Sequence, residues 1–181
     1  MEFGNTSKIF LKESISFFLW GVLLLAGFEF YPEAWKTEAE TVLMENIAFK
    51  TIVLLFFCTL TASGLFLMLL GAVDNEGGWK ARIYEFVVVP PAKFGINLCA
   101  VAFGLILATS VVSRAYGYTE TSTGLFLSSF FVVVFAVIYW GLTLLVREEF
   151  LRPVTGKHAR LGGLVLLIAV PSLSYFAYPV T

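Results

Sequence analysis

The sequence predicts an all-α integral membrane protein, a bundle of four to five transmembrane helices with no sizeable soluble domain. Three observations carry that expectation. Hydrophobic residues make up 59% of the 181 residues and charged ones only 14%, with a mean hydropathy of +0.87, where a soluble domain has about 25% charged residues. The charges are also segregated: residues 14–28, 51–73, 94–113, 121–146 and 161–181, together 105 residues, contain none, so all 25 fall in the remaining 76. Finally, a water-soluble fold needs a polar face on each element, and five unbroken apolar runs leave none.

The first span is expected over residues 9–31. Lys8 and Lys12 ahead of an apolar core have the layout of a secretory leader. The segment after that core, Gly27-Phe28-Glu29-Phe30-Tyr31-Pro32, is too bulky for signal-peptidase cleavage, so a retained signal anchor is expected. At 1.5 Å per residue the helix is about 34 Å long, enough for a hydrocarbon core of about 30 Å. Residues 32–46 are expected to form a surface-lying helix opened by Pro32, with Trp35, Ala39, Val42 and Leu43 on one face.

The second span, 50–73, stops at the polar turn Asp74-Asn75-Glu76-Gly77-Gly78. After it, Trp79, Ile83, Phe86 and Val87 recur at helical spacing with Lys80, Arg82 and Glu85 on other faces. That pattern reads as a second surface-lying element, ended by Pro90-Pro91. The third span covers 94–113 and stops at Arg114; the fourth covers 122–146 and stops at Arg147-Glu148-Glu149. The fifth, 161–178, is interrupted by Pro171, which leaves a kinked span or a re-entrant hairpin open.

Positive charge sets the expected orientation. With the N-terminus in the cytoplasm, inner segments hold Lys8, Lys12, Lys80, Arg82, Lys93, Arg147, Arg152, Lys157 and Arg160, and outer ones only Lys36, Lys50 and Arg114. Nine against three follows the positive-inside rule and suits a bacterial inner membrane, with the C-terminus outside if there are five spans. Tyr31, Tyr116, Tyr118, Tyr175 and Tyr178 fall at the outer boundary, as an aromatic belt would.

Little chemistry is visible. A net charge of −1 argues against a nucleic-acid partner. His158 is the single histidine, which excludes bis-histidine haem ligation and a His-rich metal centre within one chain, so no metal or cofactor is expected. Cys58 and Cys99 lie in apolar runs without CxxC spacing and read as buried free thiols. Gly162-Gly163 lacks the surrounding phosphate-loop spacing.

Packing motifs are clearer. Asn97, Ala100, Gly104 and Ala108 share a face of the third span, and Thr61, Gly64, Met68 and Gly71 form a similar stripe on the second. Small residues let helices approach closely in lipid. The two stripes are expected either to pack on each other or to leave one as a subunit interface. Glu29, Thr59, Thr61 and Ser63 form a possible polar path, although hydroxyls in such helices commonly bond back to their own carbonyls.

These features point to a non-catalytic membrane subunit. It would assemble in the bilayer as a homo-oligomer or a hetero-complex. A cytoplasmic partner or lipid would meet Trp79, Lys80, Arg82, Arg147, Arg152, Lys157, His158 and Arg160. The alternative is an oligomeric pore or small-solute transporter. An enzyme would have to draw its acid, base or metal from one histidine and a few loop carboxylates.

Overall fold

A computed structural model describes residues 3–27, 32, 47–73, 78–147 and 158–177. Among the described residues there are six helices: α1 (Phe3–Ala26), α2 (Ile47–Leu70), α3 (Trp79–Val87), α4 (Val89–Ala115), α5 (Thr119–Leu145) and α6 (Ala159–Ala177). Four stretches of the described residues, in α1, α2, the run from α3 into α4, and α5, are long and apolar enough to cross a membrane. The chain is therefore an all-α integral membrane protein. At 19 residues, α6 is about 28 Å long. Residues 33–46 of the helix expected over 32–46 lie outside the described residues, as do Glu29, Arg152 and Lys157.

The helix ends differ from expectation for identifiable reasons. Helix α2 stops at Leu70 because Gly71 has φ +74°. Its amide reaches back to the Leu67 carbonyl at 3.0 Å, the hydrogen bond of a left-handed C-terminal cap. Gly71 thus terminates the helix, with open space around it, and is not a packing position as the stripe had implied. Gly117, with φ +88°, ends α4 in the same way. Tyr118 N bonds Ser113 O and Gly117 N bonds Arg114 O, a Schellman pair that turns the chain directly into α5.

Pro90-Pro91 does not separate a surface element from a later span. Helix α4 begins at Val89, and both prolines sit in its first turn, where backbone amides have no intrahelical acceptor. Val88 alone stands between α3 and α4, in helical geometry (φ −92°, ψ −41°) with its amide on the Tyr84 carbonyl. The third span is correspondingly longer than expected, 27 residues where 94–113 was read.

The helices fall into two compact units, one comprising Val53–Gly95 and Ile138–Thr181, the other Glu2–Ile52 and Ile96–Val137. In the first, α2 and α6 cross closely: a Cβ placed on Gly163 would lie 2.6 Å from Met68 N and 2.7 Å from Gly64 O. Gly64 in turn faces Leu167, so the two helices run antiparallel. Phe56 packs edge-on to Tyr139, and Val73 N donates to Val146 O at 3.1 Å, so α2 and α5 run parallel. Gly95 lies against the Tyr139 ring.

In the second unit, Phe10 meets Phe103, Gly104 is pressed on the Ser14 carbonyl and the Phe18 amide, and Gly21 faces Ala108. The order makes α1 and α4 parallel. Helices α4 and α5 are antiparallel, with Ser110 Oγ donating to Ser122 O at 2.8 Å.

Candidate interaction surface

The C-terminus of α5 organises a polar arrangement among the described residues. The last four carbonyls of a helix lack intrahelical partners, and in a low-dielectric setting each needs a donor from elsewhere. Tyr84 of α3 supplies one: its buried hydroxyl donates to Thr143 O at 3.0 Å. Leu144 O accepts Arg147 N at 2.8 Å, and Val146 O accepts Val73 N as the chain leaves α2. Arg147, two residues past the end of α5, places a cation near the negative end of that helix dipole.

Apolar packing closes the same region. Phe66, Leu67, Tyr84, Val88, Val89 and Val146 form one buried cluster, with Ala159 and Leu166 of α6 against it. The Phe66 and Tyr84 rings meet nearly perpendicular, 6.1 Å between centroids. Helix α3 is therefore clamped through Tyr84 and the Val88 that follows the helix, and Ala81 on the same side is also buried.

That clamp fixes what α3 shows outward. Trp79 is 61% exposed and Phe86 83%, with Ile83 and Val87 beside them. The apolar face read from the sequence is thus turned away from the bundle, and the buried face is the opposite one. Left in water, each large side chain would forgo about 1.5–3 kcal/mol of burial. Arg82 is exposed on the flank of this face and Lys80 is half-buried. Lys93, His158 and Arg160 are exposed in the same unit, and Glu85 is its one acid among the described residues.

The remaining predicted residues are dispersed. Gly104 and Ala108 are buried in the α1–α4 seam and Ala100 is buried as well, while Asn97, further toward the start of α4, is exposed. Gly64 is buried against α6. Each glycine stripe therefore has a terminal helix as its partner, and the expected packing of one stripe on the other is replaced by these two seams. On α2, Thr59 bonds back to Leu55 O at 2.9 Å, Thr61 is half-buried, and the buried Ser63 Oγ has no partner among the described residues. Cys99 is buried, but Cys58 is exposed, contrary to its expected burial.

Sequence reasoning missed Tyr84, Thr143, Gly21 and Gly163. Tyr84 stands three residues after Ala81 and four before Val88, so its spacing carried a signal. Two apolar stripes on one short helix gave no means of ranking them. Gly162-Gly163 is visible in the sequence, but the pair does not say which helix it meets.

Among the described residues, no group of three or more His, Cys, Asp or Glu is placed to hold a metal ion. The arrangement offers hydrogen-bonded anchoring, an apolar outward face and a cationic margin. Comparison with protein-family models, curated proteins and solved structures finds no match to this chain.

Proposed function

We propose that this chain is a non-catalytic membrane subunit that assembles in the bilayer and anchors or signals to a soluble cytoplasmic partner. Its N-terminus lies in the cytoplasm of a bacterial cell, and the α3 end of the bundle faces inward. One observation carries the reading: α3 is clamped to the α5 terminus by Tyr84, which holds a cationic margin in fixed relation to the spans. A fixed cationic margin is a docking feature, since charge complementarity speeds encounter and excludes wrong partners. The nine-to-three distribution of Lys and Arg supports the sidedness.

Assembly within the bilayer uses surfaces other than the glycine stripes, which are engaged within the chain. Helix α1 packs through Ser14 and Gly21 and leaves Leu19, Trp20 and Leu23 exposed.

The test is extraction of the full-length chain into polymer-bounded lipid discs, followed by native mass spectrometry. A soluble protein at fixed stoichiometry is expected with the wild type and is lost in the H158E/R160E variant, which changes two exposed residues. A chain recovered repeatedly alone, or a partner indifferent to H158E/R160E, would contradict the proposal.

A further inference from the structure

The outward face of α3 fits a lipid surface better than a protein. Four features lead there. First, α3 enters the α4 span through Val88 alone, itself in helical geometry, so no linker lets it leave the membrane boundary. Nine residues reach about 14 Å at most. Second, the side facing the bundle is already filled by Ala81, Tyr84 and Val88, and the opposite side is apolar and open. Third, the Trp79, Ile83, Phe86 and Val87 face offers a single polar group, the indole N–H. A protein interface carries about one hydrogen bond per 100–200 Å², which this face cannot supply. A tryptophan at the start of the helix suits the headgroup level of a bilayer. Fourth, Arg82 stands three residues after Trp79 and four before Phe86, so it flanks the apolar face within one turn of both. From there its stem can lie along apolar surface while its guanidinium reaches the phosphate layer.

We propose that α3 is a lipid-seated helix whose Trp79–Ile83–Phe86 face lies in the acyl–headgroup boundary, where Arg82, flanked by Lys80, holds an anionic phospholipid. The seat is a property of this chain and does not require the soluble partner. The two can be separated because the partner's test changes His158 and Arg160, and this one reads Trp79 and Arg82. Seating fixes α3 from outside while Tyr84 fixes it from within, so lipid composition becomes an input to the position of the cationic margin.

The experiment uses the full-length chain carrying W20F, W35F and W140F, leaving Trp79 as the only tryptophan. It is placed in phosphatidylcholine nanodiscs with a fixed mole fraction of brominated phosphatidylcholine or brominated phosphatidylglycerol. The bromines are near the headgroup end of the acyl chain. Both lipids should quench Trp79, the anionic one more strongly, and R82Q should remove that difference by lowering local enrichment about five-fold. Aqueous iodide should quench weakly. Strong iodide quenching without bromine quenching would overturn the seat. Equal quenching by the two lipids, or no effect of R82Q, would overturn the anionic headgroup. A second route avoids the tryptophan changes: C58S/F86C labelled with an environment-sensitive dye should emit to the blue and be quenched by spin-labelled lipid. A water-like emission there would also overturn the proposal.

Discussion

Gly163 illustrates how much depends on single atoms in this chain. Both groups nearest to its missing Cβ are backbone, Met68 N and Gly64 O, so no side-chain rotation can make room. In lipid the hydrophobic effect does not drive helix association, and close backbone approach takes its place. Gly163→Ala is expected to cost about 1–3 kcal/mol, the range for overpacking a tight contact. Gly124 is the matched control: a Cβ there meets nothing within 4 Å. Gly124→Ala should be neutral or stabilise by up to about 1 kcal/mol through helix propensity. Reversible unfolding in mixed detergent micelles reads both, and equal effects at the two positions would refute the packing argument. The sequence made such glycines visible as small-residue stripes. It did not show which helix each one meets, because a stripe records closeness without recording the partner. Gly71 looked like part of a stripe and is a helix terminator, a role set by its φ of +74°.

At the level of elements, the spans were legible because an absence of charge over some twenty residues has one physical reading in a chain this apolar. The ends were not, because proline next to an apolar run is ambiguous. Pro90 and Pro91 can stop a preceding helix or occupy the first turn of the next, and here they do the second. Helix α3 was legible as a surface-lying helix with Trp79, Ile83, Phe86 and Val87 on one face, which is exposed, but the buried side opposite it was not legible. In water an apolar stripe identifies the buried side; beside a membrane both lipid and protein accept apolar groups, so that signal fails. What distinguishes the two sides is Tyr84, whose hydroxyl completes the α5 terminus. Tyr84→Phe keeps the ring against Phe66 and removes only the hydrogen bond. The expected cost is about 1 kcal/mol, as for a typical hydrogen bond between helices in lipid. Hydrogen exchange of α3 amides should rise while α1 and α4 amides in the Phe10–Phe103 region stay unchanged. Unaltered exchange in α3 would show that the phenol contributes nothing to holding it.

Within each of the two units, helix pairing gives a check independent of charge. The first and third long segments, α1 and α4, pack parallel; α2 and α5 pack parallel; α4 and α5, and α2 and α6, pack antiparallel. Inside each unit, every pairing has the sense that alternating crossings along the chain require. Hydrophobicity predicts the crossings and helix contacts give their relative sense, but neither distinguishes the two sides of the membrane. The cationic loops carry that last step, and the proposed function depends on it. Cysteine accessibility in sealed cells decides it most directly. In a C58S background, Tyr116→Cys at the α4–α5 turn should react with a membrane-impermeant maleimide in intact cells. Arg160→Cys, at the start of α6, should react only after the cells are permeabilised. Labelling of the residue-160 cysteine in intact cells, with the residue-116 cysteine protected, would place the cationic margin outside and contradict the account.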